Sequence, residues 1–201
     1  MKIDKLCQVV FQMHPLPGKL RDKQVQEALR AHVREIIAES HYRERQLLLS
    51  TGQPAEHAYF IAEGFARGFY YDEQTGRDIT VFLWNEEAIA LAANSFFLRQ
   101  PSDIHMEVMP GSTLLSLSHG QVSTLFELFP ATEALARALS LQYNAFHKKR
   151  MKDLLTRSAW ERYQDLLRTH PRVEQHVSQE VIASYLGITP WSLSRLKKQY
   201  K

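Results

Sequence analysis

The central part of the chain, residues 45–118, consists of short apolar runs separated by turn signals. Six such runs are rich in β-branched and aromatic side chains: RQLLLS, HAYFIAEG, FARGFYY, DITVFLW, IHMEVM and STLLSLS. Turns that contain glycine or proline, such as Asp72 to Gly76 and Pro110 to Gly111, lie between them. Strands at this spacing are typical of an antiparallel sandwich, barrel or roll. The segment is therefore predicted to form a β-roll of the double-stranded β-helix, or jelly-roll-like, kind.

Segments with a helical period lie on both sides of the strands. Residues 19–40 are predicted to form one amphipathic helix, because their apolar residues recur every three or four positions. Those residues are Val25, Leu29, Val33, Ile36 and Ile37. After the strands, helices are predicted at 118–129, from Pro130 to about Leu155, and at 158–169. The predicted fold class is α+β, with an N-terminal helix, the antiparallel β-roll, a long helix and a C-terminal pair of helices.

The long helix from Pro130 carries two apolar strips. One contains Leu135, Leu139 and Phe146. The other contains Ala134, Ala138, Leu141 and Ala145. We expect the first strip to pack on the β-roll and the second to pack on another copy of the chain. A helix that lies on its own sheet within a monomer is the alternative.

Residues 178–198 have the start and stop signals of a helix-turn-helix. Ser178 suits the N-cap of a first helix, and Gly187 suits the left-handed position that ends it. Thr189 followed by Pro190 suits the start of a second helix. The inner stripe of that second helix is predicted to contain Leu193, Leu196 and Tyr200.

The opposite face of the second helix is predicted to contact DNA. Its candidate residues are Thr189, Trp191, Ser192, Ser194, Arg195 and Lys198. Residues 147–201 contain 12 lysines and arginines against 5 acidic residues, a net charge of +7, whereas residues 1–146 contain 13 against 17, a net charge of −4. A segregated basic segment is typical of a protein that binds the phosphate backbone. A basic helical hairpin that is merely solvated is the alternative.

The sequence contains no pattern that indicates an enzyme or a metal centre. Its nine histidines show no short metal-ligand spacing. His105 and Glu107 alternate along one predicted strand and are interpreted as a polar surface stripe. The single cysteine, Cys7, excludes an internal disulfide and a thiolate-rich cluster within one chain. With no apolar run of membrane-spanning length and no signal peptide, we expect a cytoplasmic protein without catalytic residues, metal or cofactor.

From Arg45 to its end, the chain resembles the Crp/Fnr superfamily of transcription regulators. HAYFIAEGFARGFYYDEQTGRDITVFL resembles the glycine-marked β-roll of the family, the helix from Pro130 its dimerisation helix, and IASYLGITPWSLSRLKK its helix-turn-helix. The resemblance implies a cyclic-nucleotide-binding-like sensor domain at 1–129, a dimerisation helix at 130–155 and a DNA-binding domain at 156–201. It also implies a homodimer on a two-fold symmetric double-stranded operator, with RNA polymerase and a small-molecule effector as further partners.

The resemblance assigns roles to two residues of the second helix. Arg195 matches the arginine of the family that contacts guanine, and Ser194 matches the serine that often precedes it. Trp191 stands where many members have a glutamate that reads a base, so the half-site that those members share is not expected here. The β-wing that usually follows is expected to be short or absent. The alternative function is a sensor module whose helix-turn-helix contacts protein instead of DNA.

The effector site departs from the family pattern. Members that bind cyclic nucleotides carry a Gly-Glu pair and then an Arg-Ser/Thr-Ala run, whereas this chain has Ala90-Leu91 and Pro101-Ser102-Asp103 at the matching positions. Because both charged contacts are missing, binding of cyclic AMP is not expected and the effector stays unidentified. The candidate pocket residues are Leu91, Arg99, Ser102 and Tyr143.

Overall fold

The computed structural model describes residues 2–200; Met1 and Lys201, at the ends of the first and last predicted domains, lie outside the described residues. The predicted α+β class is confirmed. The helices are α1 (Lys2–Phe11), α2 (Lys23–Ile36), α3 (Ala93–Leu98), α4 (His119–Leu128), α5 (Glu133–Thr156), α6 (Ala159–Thr169), α7 (Val173–His176), α8 (Gln179–Leu186) and α9 (Pro190–Gln199). The strands are β1 (Ala38–Tyr42), β2 (Gln46–Leu49), β3 (His57–Glu63), β4 (Ala66–Asp72), β5 (Arg77–Trp84), β6 (Ile89–Ala90), β7 (His105–Val108) and β8 (Ser112–Ser118).

The strands form two four-stranded antiparallel sheets. Their orders are β1-β8-β3-β6 and β2-β7-β4-β5. Six of the strands, β2, β3, β4, β5, β7 and β8, coincide with the six predicted apolar runs, so the predicted antiparallel roll is confirmed. No separate pattern in the sequence predicts β1 or the two-residue β6.

The predicted helix over residues 19–40 is wrong at both ends. A 3₁₀ turn covers Gly18–Arg21, and α2 starts after Asp22, whose carboxylate accepts a hydrogen bond from the amide of Gln24 at 2.7 Å. The helix ends because Ile37 is extended, with φ −75° and ψ 135°. Residues 38–42 then pair with residues 112–116 of β8. The apolar spacing continues through this boundary. However, the backbone N–H and C=O groups along this edge of β8 obtain hydrogen-bond partners only because residues 38–42 form a strand.

The main core lies between the two sheets and is closed on one side by α5. Leu139 is buried there, and the ring of Phe146 stacks on Phe82 at 5.3 Å between centroids. The prediction that this strip of α5 packs on the β-roll is therefore confirmed. The prediction for the other strip is wrong at Ala138, which is buried within its own chain, whereas Leu141 and Ala145 are exposed.

A buried ion pair joins the strands β4 and β7. Arg67 and Glu107 are cross-strand neighbours, both almost fully buried, and the Arg67 Nε donates to the Glu107 carboxylate. Arg67 also donates to Asp78 on β5 at 2.6 Å. The interpretation of Glu107 as part of a polar surface stripe is wrong, because a carboxylate at a buried position of a sheet is stable only beside such a partner. Alternation along β7 does not reveal that partner, which lies forty residues earlier.

Candidate nucleic-acid interface

The turn between α8 and α9 is formed by the residues that the sequence singled out. The Ser178 hydroxyl accepts a hydrogen bond from the amide of Val181 at 3.3 Å and caps α8. Gly187 ends that helix in the left-handed region, with φ 69°, where glycine has no Cβ strain. Thr189 caps α9 by accepting from the amide of Ser192 at 3.1 Å, and Pro190 takes the first helical position. The backbone groups at both helix starts are thus partly satisfied within the motif.

The two helices share a core with α6 and α7. Ile182, Ala183 and Leu193 are fully buried. Other buried members of this cluster are Tyr163, Leu166, Val173, Val177, Val181 and Leu186. In the predicted inner stripe of α9, Leu196 is half-buried and Tyr200 is exposed, although its ring stacks on Trp160 at 4.3 Å between centroids. Packing on its inner side therefore holds α9 in position.

The outer face of α9 is open and basic. Trp191 is 68% exposed, and the guanidinium of Arg195 lies over its indole ring at 5.1 Å. Ser194 and Lys198 are exposed beside them. Among residues 2–200, neither Arg195 nor Lys198 forms an ion pair, whereas Lys197 on the flank is bound to Glu174. Two cations thus remain available for an anionic partner.

Two of the predicted contact residues lie at the start of α9. Thr189 is exposed and Ser192 is half-buried, and their hydroxyl oxygens are 3.0 Å apart. Both hydroxyls therefore take part in the cap. The structure thus places the six predicted residues on one helix and its cap, within a single surface.

The helix-turn-helix is docked on the β-roll through a contact that the sequence did not predict. The Ser184 hydroxyl donates to the Asp78 carbonyl and accepts from the Thr80 amide, both at 2.8 Å. Arg150 of α5 donates to the carbonyls of Thr80 at 3.1 Å and Tyr185 at 2.7 Å. A serine in the middle of a helix is usually solvated, so nothing in its sequence surroundings indicates this role.

Two histidines complete the same contact. His170 lies 3.1 Å through Nε2 from the Leu83 carbonyl, and the ring of His176 stacks on Phe65 at 5.0 Å between centroids. Burial lowers the pKa of both imidazoles below the usual 6.5. The contact therefore favours neutral histidines on the helical side of the interface.

The four predicted effector residues are not brought together. Leu91 and Tyr143 line a cavity of about 140 Å³ between the β-roll and α5. The Tyr143 hydroxyl accepts from the Leu91 amide and donates to the Ile89 carbonyl, both at 3.1 Å, and burial raises its pKa. Arg99 instead donates to the Ala55 carbonyl and pairs with Glu56. The Ser102 hydroxyl is bound within its own loop.

The rest of this cavity is neutral or acidic. Its other polar lining residues are Tyr70, Asn94, Ser95, Asp103, Ser140, Asn144 and His147. No lysine or arginine lines it. The sequence analysis did not single out these residues because they come from β4, α3, a loop and α5, which meet only in the fold. A cavity with a carboxylate and no permanent cation does not suit a phosphate group.

Within residues 2–200, no group of three or more histidine, cysteine, aspartate or glutamate side chains is arranged to hold a metal ion. No helix in the same range is both long and apolar enough to cross a membrane.

Solved structures of transcription regulators resemble this chain in fold. No protein-family model and no curated protein matches the sequence. FixK2 from Bradyrhizobium japonicum is 18% identical, with a TM-score of 0.69 over 82% of this chain and 84% of that one. The c-di-GMP-responsive global regulator CLP from Xanthomonas campestris is 13% identical, with a TM-score of 0.63 over 87% and 91%.

A third solved structure carries the family name. A protein from Eubacterium rectale that is assigned to the crp/fnr family of transcriptional regulators is 13% identical, with a TM-score of 0.66 over 86% of this chain and 82% of that one. At such low identity the likeness concerns the fold. The chain therefore shares the fold of these solved structures, which agrees with its resemblance to the Crp/Fnr superfamily.

Proposed function

We propose that the chain is a DNA-binding transcription regulator of the Crp/Fnr type. The observation that carries the proposal is the outer face of α9, where Trp191, Arg195 and Lys198 are exposed together on a helix whose other side is packed. A capped second helix with an open basic face is the part of a helix-turn-helix that enters the major groove. The net charge of +7 over residues 147–201 supports association with phosphates.

Each residue of this face has a proposed role. Arg195 reads a guanine edge, since its planar guanidinium matches the two acceptors that guanine offers in the major groove. Lys198, one turn later, neutralises a phosphate. Thr189, Ser192 and Ser194 contact phosphates or base edges near the start of the helix. Trp191 supports the guanidinium by lying beneath it and gives the half-site a preference of its own.

The proposed assembly is a homodimer on a two-fold symmetric operator. The exposed side of α5 carries Leu141, Ala145 and Leu155, and Leu141 and Leu155 are 54% and 79% exposed. An apolar strip of this kind on a long helix suits packing against the same strip of a second copy. We accordingly propose a sensor domain at 1–129, a dimerisation helix at 130–155 and a DNA-binding domain at 156–201, in a cytoplasmic protein.

The experiment that tests this function is selection of genomic DNA fragments with the purified protein at stated salt concentrations, followed by footprinting. We expect enrichment of a two-fold symmetric sequence whose half-sites are about one helical turn apart. If no sequence is enriched and binding falls off with salt alike for all DNA, specific regulation is excluded. The alternative, a helix-turn-helix that contacts protein, then becomes the better account.

A further inference from the structure

A second cavity lies on the other side of the β-roll, away from the helix-turn-helix. It has a volume of about 170 Å³ and separates the sheet that contains β3 and β8 from the helices α1, α2, α4 and α5. All of its lining residues are buried or half-buried. Representative ones are Cys7, Phe11, Val33, Leu115, Leu125 and Leu139. The space is therefore a partly open apolar cavity between the sheet and these helices.

The lining offers almost no polar group to a ligand. No lysine, arginine, histidine, aspartate or glutamate contributes to it. Its hydroxyl and thiol groups come from Cys7, Tyr59 and Thr132, and the Thr132 hydroxyl already donates to the Phe129 carbonyl at 2.7 Å. Burial raises the pKa of the Cys7 thiol, and that of Tyr59 to about 12. A charged or strongly hydrogen-bonding molecule would lose its hydration here without replacement.

The size of the cavity defines the class of occupant. Cavities of about 150 Å³ with a lining of leucine, isoleucine and phenylalanine stay dry and bind benzene or xenon. An apolar guest of this size gains dispersion contacts with the surrounding side chains. We propose that this cavity is a binding site for a small neutral apolar molecule, of the size of one aromatic ring or a short alkyl chain.

The site is separate from the 140 Å³ cavity described above, with which it shares only Leu91. It also differs in chemistry, since it lacks the carboxylate and the amide groups of that cavity. A guest would contact α5 through Leu135 and Leu139, on the same helix that carries the exposed apolar strip. Binding itself needs neither DNA nor a second copy of the chain.

Cys7 provides a built-in reporter of occupancy, because it lines the cavity and is the only cysteine. The probe is toluene, and phenol, which is similar in size but carries a hydroxyl group, is the matched control. With toluene at ten times its Kd, we expect modification of Cys7 by a small neutral thiol reagent to slow about tenfold and the Tm to rise. Phenol at equal concentration should have a much smaller effect.

Two variants locate the effect. Ala136→Leu places extra carbon atoms in the cavity wall and should abolish protection by toluene, whereas Ala31→Leu, on the exposed side of α2, should retain it. The proposal is overturned if toluene neither protects Cys7 nor raises the Tm, if phenol acts as strongly, or if Ala136→Leu keeps full protection. The wild-type comparison decides the matter even if Ala136→Leu does not fold. Neither readout involves DNA, so this result and that of the genomic selection are independent.

Discussion

Ser184 joins the helix-turn-helix to the β-roll through a single hydroxyl group. It supplies the acceptor for the amide of Thr80, a residue that is fully buried. In the variant Ser184→Ala this amide loses its partner, so the free energy of unfolding should fall by about 1–3 kcal/mol. Urea denaturation measures the change. Ser194→Ala, which removes an exposed hydroxyl from α9, should change the free energy of unfolding by less than about 0.5 kcal/mol. Equal effects of the two variants would show that the Ser184 hydrogen bonds do not stabilise the protein.

His170 should make the stability of the protein depend on pH. Burial lowers the pKa of its imidazole in the folded chain below the 6.5 of an exposed histidine. The unfolded chain therefore takes up the proton first as the pH falls, and the stabilisation is present above about pH 6.5 and is lost as the pH falls through the folded pKa. Denaturation at pH 7.5 and 5 should show a smaller difference for His170→Gln than for the wild type.

The control for this titration is His57→Gln, at an exposed position of β3. It should keep the wild-type difference between the two pH values. If His170→Gln keeps it as well, the acid sensitivity comes from other groups, of which His176 is the first to consider because burial lowers its pKa too.

Among the elements, those whose signals lie within their own residues were predictable. The caps Ser178 and Thr189, and the stop at Gly187, are local features that act on neighbouring backbone groups. In contrast, β1 depends on pairing with β8, seventy or more residues later, and Glu107 depends on Arg67. Local patterns contain no information about such distant partners. For the same reason, only two of the four expected effector residues, Leu91 and Tyr143, line the same cavity.

The strip on α5 makes a prediction at the scale of one helix. Leu141→Glu places a charge in the middle of the proposed dimer contact and should shift the protein from dimer to monomer at micromolar concentration, since two like charges would be buried at the symmetry axis. Light scattering measures the mass. Leu98→Glu, at a 61% exposed position of α3, is the control and should stay dimeric. A wild-type protein that is monomeric with and without DNA contradicts the proposed assembly.

For the whole molecule, the cavity between β-roll and α5 argues against cyclic nucleotides as effectors. Asp103 lines it and no lysine or arginine does, so a phosphate there would meet a carboxylate and no permanent positive charge. We expect no measurable binding of cyclic AMP or cyclic GMP in isothermal titration calorimetry. Micromolar affinity for either nucleotide would contradict the conclusion that this cavity does not suit a phosphate group.

The distribution of charge over the whole chain supports the proposal that the C-terminal end contacts DNA. The last 55 residues have a net charge of +7, and the rest has −4. Lys198→Ala removes one exposed cation from the proposed contact and should weaken binding to all sequences alike. Because one phosphate contact is lost in each half-site, the slope of log K against log salt should become shallower by about one unit per site. Fluorescence anisotropy at several salt concentrations gives this slope.

The measurement that tests the central claim most directly compares Arg195→Ala with the wild type on the selected operator and on a scrambled duplex at equal salt. If Arg195 reads a guanine, the variant should lose about 1–3 kcal/mol of binding free energy on the operator, much less on the scrambled duplex, and its preference at one position of each half-site. An equal loss on both duplexes would contradict base reading by Arg195. An unchanged affinity for both would contradict the claim that this face of α9 binds DNA.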